Sequence, residues 1–141
     1  MTGSENNFLY EHESRLIYDA CHEVWKEFAG AFKESVIDRA LTIALKNKGL
    51  IVENQKRINL FFQGQKVGVY AINQVINDKI IIELKCKVFL TDEDSKQFWR
   101  YLKATNYKLG FLINFAPKKI EIIRRVYDTA REKKSSIKLR G

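Results

Sequence analysis

The sequence predicts a single α/β domain, a central mixed sheet flanked by helices in the order ααβββαββ. Three observations predict it. Apolar residues recur at three- and four-residue spacing through two N-terminal segments, the signature of amphipathic helices. From Leu50 onward the pattern changes to short β-branched and aromatic runs separated by turn residues. Only one proline and seven glycines interrupt 141 residues, so the chain reads as rich in regular elements.

Between Arg15 and Phe28, Leu16, Ile17, Ala20, Cys21, Val24 and Phe28 define the first helix, with Ser14 as the expected cap. After Ala29-Gly30, Val36, Ile37, Ala40, Leu41, Ala44 and Leu45 define a second, roughly 32 to 48, stopped by Gly49. Asn59 to Phe62 and Val67 to Tyr70 read as strands joined across Gln63-Gly64. Asn77-Asp78 marks the next turn, and the β-branched run Lys79 to Lys85 fits a buried central strand. Thr91, followed by Asp92, Glu93 and Asp94, caps a third helix running towards Thr105. Leu109 to Phe115 makes a fourth strand, and Lys119 to Val126 a short fifth.

Residues 15–126 are expected to form the domain, after a flexible N-terminus (1–14) and before a basic C-terminal tail (127–141). With 25 basic against 17 acidic residues the net charge is +8, which favours an anionic partner, nucleic acid first among them. From Arg124 to the end there are seven basic residues against Asp128 and Glu132; a solvated basic terminus is the plainer reading of that excess. Cys21 and Cys86 form no metal-binding or disulfide pattern, and no apolar run approaches the ~20 residues of a membrane span, so a cytoplasmic setting is expected. His12 and His22 show no metal spacing.

Glu83 and Lys85 stand two apart on the central strand, so both side chains leave one face while Leu84 leaves the other. Charges in so apolar a strand either pair across the sheet surface or face a cleft for a metal and an anionic substrate. In the second case Glu83 is a hard oxygen ligand for Mg²⁺ and Lys85 orients the attacking water or neutralises the phosphorane. A second ligand is then needed on the preceding strand. A two-residue turn at 77 and 78 pairs residue 73 with Ile82, on the wrong face; a three-residue loop, 77 to 79, pairs it with Glu83. Residue 73 is Asn.

The segment GVYAINQVINDKIIIELKCK resembles the G-x-Y-x-x-D…V-x-E-L-K block of the GxxExxR proteins, a branch of the PD-(D/E)xK (restriction-endonuclease-like) superfamily. FAGAFKESVIDRAL resembles that family's first glycine–glutamate motif, with Glu34 as the glutamate. SKQFWRYLKATNYKLGFLINF resembles its Q-x-x-x-Y-L-K-A-T and L-I-N-F signatures, so the likeness spans roughly residues 15 to 125.

The resemblance implies a catalytic set of Glu34, Asn73, Glu83 and Lys85, supported by Gln97 and Tyr101, with Glu34, Asn73 and Glu83 as metal ligands. It implies Mg²⁺ or Mn²⁺ as cofactor if the protein is active, and DNA or RNA as partner. A glutamate placed as Glu34 is more often the acid of a first helical turn than a ligand, and Gln97 and Tyr101 are equally at home in ordinary packing and capping. The sequence departs from the family at several positions. Asn73 replaces the metal-binding aspartate, offering one neutral oxygen for a charged one. Ala31 replaces the motif glycine, Ile37 stands at that motif's last position, and Ala71 replaces an arginine. Three origins fit Asn73: decay of a catalytic site, an introduced change, or a tolerated ligand. The function expected is a nucleic-acid-binding, nuclease-like domain whose Mg-dependent phosphodiester hydrolysis is impaired; the alternative is an inactive protein-interaction or regulatory module on the same fold.

Overall fold

The computed structural model describes residues 9–30 and 32–127, and the element order is ααβββαββ, as expected. Ala31 and the tail from 128 lie outside the described residues. Helix α1 (Glu11–Phe28) begins earlier than its apolar pattern, because its first turn is polar and carries Glu11 and Glu13. Ser14 is therefore not the cap. It lies buried within the helix, and Tyr10, in the left-handed conformation, occupies the cap position without a side-chain bond. Helix α2 (Glu34–Asn47) ends at Gly49, whose φ of 86° suits glycine and whose N–H bonds to Lys46.

Strands β1 (Val52–Phe62) and β2 (Gln65–Ile76) form a long antiparallel hairpin closed by Gln63-Gly64, both at positive φ. Strand β3 (Ile80–Lys85) pairs antiparallel with β2 only from Gln74 to Ile76. Helix α3 (Asp92–Ala104) follows, with a capping box in which Thr91 and Asp94 satisfy each other's backbone N–H. Lys87 and the Thr91 N–H together hold the Asp94 carboxyl down to about 2. Strand β4 (Leu109–Phe115) is parallel to β3, and β5 (Ile120–Val126) pairs antiparallel with β4 on the far edge. The sheet order is β1-β2-β3-β4-β5.

Helices cover both faces. On one, Ile17, Cys21, Leu41 and Leu45 of α1 and α2 pack on Ile76, Ile80, Ile82, Leu84 and Phe111. On the other, Phe98 and Leu102 of α3 pack on Ile72, Val75, Ile81 and Leu112. β3 and β4 are apolar on both faces because both are covered. The α1–α2 link is pinned to the end of β4: Trp25 Nε1 donates to the Ala116 carbonyl at 3.1 Å. Gly30 lies so close that a Cβ there would stand 2.5 Å from the Ala116 carbonyl carbon. Among the described residues no helix is long and apolar enough to cross a membrane.

Candidate functional site

β2 changes face at Asn73. Ile72 and Val75, three apart, both pack beneath α3, whereas Gln74 and Ile76 turn towards α2 and α1. Regular strand geometry allows alternation only by two, so the backbone must twist locally at Asn73. Opposite it on β1, Gln55 has a φ of 53°, yet pairing resumes in the same register on either side (Asn54 with Gln74, Lys56 with Ile72), so no residue is inserted.

The β2–β3 connection is the three-residue loop, with Ile76 opposite Ile80. Continuing that register brings Asn73 to Glu83. There the ladder gives way, and the Leu84 N–H donates at 2.9 Å to Asn73 Oδ1 in place of a backbone carbonyl. A backbone N–H needs an acceptor, so this bond identifies the oxygen of the Asn73 amide. Its NH₂ is therefore the end left to act on Glu34 in the first turn of α2, where Asn73 lowers the carboxyl against the effect of burial.

Glu83 and Lys85 share the α3 side of β3, and Leu84 joins the opposite core. Tyr70 Oη donates to Glu83 Oε1 at 2.9 Å. The Tyr70 ring stacks on that of Tyr101, centroids 4.1 Å apart and 8° from parallel. Gln97 Nε2 reaches Tyr101 Oη at 3.4 Å. Gln97 and Tyr101 thus meet the carboxylate through Tyr70, and do not touch it themselves.

Burial raises the Glu83 carboxyl above its ordinary value; the Tyr70 bond and Lys85 pull it down, and Glu34 pushes it up again. Burial likewise raises Glu34, opposed by Lys85 and Asn73 and reinforced by Asp38. The Cys86 thiol is raised by burial and then by Glu34. Glu34, Asn73, Glu83 and Lys85, from three separate elements, therefore act on one another at one place.

Among the described residues no three of His, Cys, Asp and Glu converge closely enough to hold a metal ion. Glu34 and Glu83 supply two carboxylates, and the third position presents amide hydrogens. Three neighbours were missed in the sequence: Tyr70, Asp38 and Gln74. Gln74 is fully buried, and its Nε2 donates to Asp38 Oδ1 at 2.7 Å and Thr42 Oγ1 at 3.1 Å. An amide and a tyrosine inside an apolar strand were the available signals.

No curated protein matched the sequence. Among solved structures, that of SSO0001 matches with 19% identity and a TM-score of 0.45, over 87% of this chain and 74% of that one. The family profile described as the PD-(D/E)XK nuclease superfamily matches residues 11–126, from the start of α1 to the end of β5. With that match and a mixed five-stranded sheet between helices, the chain belongs to the PD-(D/E)XK nuclease superfamily.

Proposed function

We propose that this domain, of the GxxExxR branch, binds nucleic acid in the cytoplasm and hydrolyses phosphodiesters poorly or not at all. The observation that carries the reading is the meeting of Glu34, Glu83 and Lys85 around an Asn73 amide whose oxygen is turned to Leu84. Mg²⁺ or Mn²⁺ in such a site takes one or two protein carboxylates and fills its octahedral shell with waters and substrate phosphate. Position 73 does not fit that ion, because its one amide oxygen already accepts from the Leu84 N–H and its other end carries hydrogens where a ligand oxygen would be required. The donor does part of what a cation would do, offsetting the charge of Glu34.

Lys85 then serves binding: its ammonium sits beside the two carboxylates and meets a phosphate as a point charge. The net charge of +8 supports an anionic partner. The expected result is DNA or RNA binding whose affinity falls steeply with salt, a log–log slope of several units, and no cutting with Mg²⁺ or Mn²⁺. Cutting by the protein with Asn73 intact would overturn the impairment. Binding that is weak and independent of salt would favour the second reading, a protein-interaction module that keeps the fold without the substrate.

A further inference from the structure

Strand β2 pairs with β1 along nearly its whole length but with β3 only from Gln74 to Ile76, so most of the hairpin extends past β3. Between the outer part of β1 and the turn linking α3 to β4 lies a groove of about 450 Å³, a size that suits a small-molecule ligand or part of a chain. Lys56, Arg57, Asn59, Phe61, Asn106 and Tyr107 line it, and among the described lining residues there is no carboxylate. Phe61 is 62% exposed and its neighbour Phe62 64%, at the end of an edge strand where large apolar rings are unfavourable without a partner. Arg57, Asn59 and Asn106 are exposed, and no side-chain hydrogen bond or ion pair among the described residues engages them.

The rest of the groove is fixed in place. Lys56 Nζ lies 5.7 Å over the Tyr107 ring and 3.5 Å from both Glu53 and Asp78, and Tyr107 Oη donates to Asp78 at 3.2 Å. Ile58, also in the lining, stands opposite Tyr70, the tyrosine bonded to Glu83. The groove is thus one strand outward from the donor that holds the Glu83 carboxylate.

We propose that this groove binds a single-stranded segment of nucleic acid, one base stacked on Phe61 and a backbone phosphate at Arg57, and leads that strand towards Glu83 and Lys85. The proposal rests on the nucleic-acid reading above and narrows its substrate to strands with unpaired bases. A free guanidinium, Arg57, beside an exposed ring, Phe61, is the combination that holds single strands, whereas a duplex keeps its base faces covered. Asn59 and Asn106 add donors and acceptors that match base edges.

The test is fluorescence anisotropy on the full chain with a labelled oligothymidylate, an abasic strand of the same length and a duplex of the same length. The wild-type protein should prefer the oligothymidylate. Phe61→Ala should weaken that strand about tenfold and leave the abasic strand unaffected, and Arg57→Ala should reduce the salt slope by about one. Both side chains are exposed, and circular dichroism checks that the variants are folded. A wild-type protein that binds no probe overturns the nucleic-acid reading and this proposal together. One that binds oligothymidylate equally well with Phe61→Ala overturns the groove alone. If the wild type sediments as a dimer and Phe61→Ala as a monomer, a second copy covers the groove and the proposal fails.

Discussion

The backbone N–H of Leu84 donates to Asn73 Oδ1 at 2.9 Å, and that bond decides which end of the Asn73 amide faces Glu34. Asn73→Asp retains an oxygen for Leu84 and exchanges the NH₂ for a second oxygen. Without divalent ions the new charge beside Glu34 should lower stability by about 1–2 kcal/mol, through like-charge repulsion in a partly desolvated site. With Mg²⁺ or Mn²⁺ the variant should gain a binding isotherm by calorimetry and a melting temperature that climbs with metal concentration. The protein with Asn73 should show neither. Identical responses from the two proteins would mean that position 73 does not govern metal binding.

Tyr70 is 5% exposed, and its hydroxyl has a charged acceptor in Glu83. Tyr70→Phe keeps the stack on Tyr101 and removes the bond. Denaturant unfolding at neutral pH should show a loss of about 1.5–3 kcal/mol, the range for hydrogen bonds to charged groups. A loss near zero would show that water replaces the hydroxyl.

Glu83 and Glu34 both have carboxyls raised above the ordinary value, first by burial. The folded protein therefore holds these protons more tightly than the unfolded chain. The stability they contribute is fully present below the unfolded value of 4.5 and is lost as pH rises through their higher folded values. Glu83→Gln, whose amide oxygen still accepts from Tyr70, removes one of these charges. Its melting temperature should exceed the wild type's at pH 7 by a few degrees, and the gap should close towards pH 4. A gap of constant size across that range would refute the assignment.

A Cβ at Gly30 would meet the Ala116 carbonyl carbon at 2.5 Å and the Pro117 nitrogen at 2.6 Å, both backbone atoms that cannot swing aside. Gly30→Ala should cost about 3 kcal/mol or more, the upper range for overpacking. The glycine beside the first motif thus secures the approach of the α1–α2 link to β4. Chemical denaturation measures the loss, and a change below about 1 kcal/mol would show that the link moves freely.

Much of the fold was legible because periodicity reports burial directly. The apolar stripes of α1 and α2 mark one covered face each, and the β-branched run of β3 and the almost wholly apolar β4 carry the pattern that two covered faces impose. β1 is longer than the expected Asn59–Phe62, because its stretch Glu53–Arg57 is polar and mostly exposed on an edge, where packing imposes no apolar pattern. The start of α1 was misplaced for the same reason.

By itself the sequence determined the element order, the shared face of Glu83 and Lys85, and the asparagine at position 73, since these follow from local spacing alone. Only the tertiary structure decided that residue 73 reaches the site. A strict alternation from Ile72 to Val75 would have turned one of them away from α3 to the opposite face of the sheet, and the twist at Asn73 keeps both beneath α3. The meeting of Asn73 with Glu34 and the placing of Tyr70 beneath Tyr101 are likewise contacts between distant segments. Such contacts depend on how helices settle on a twisted sheet, a property of the whole packed core that no single stretch of sequence encodes.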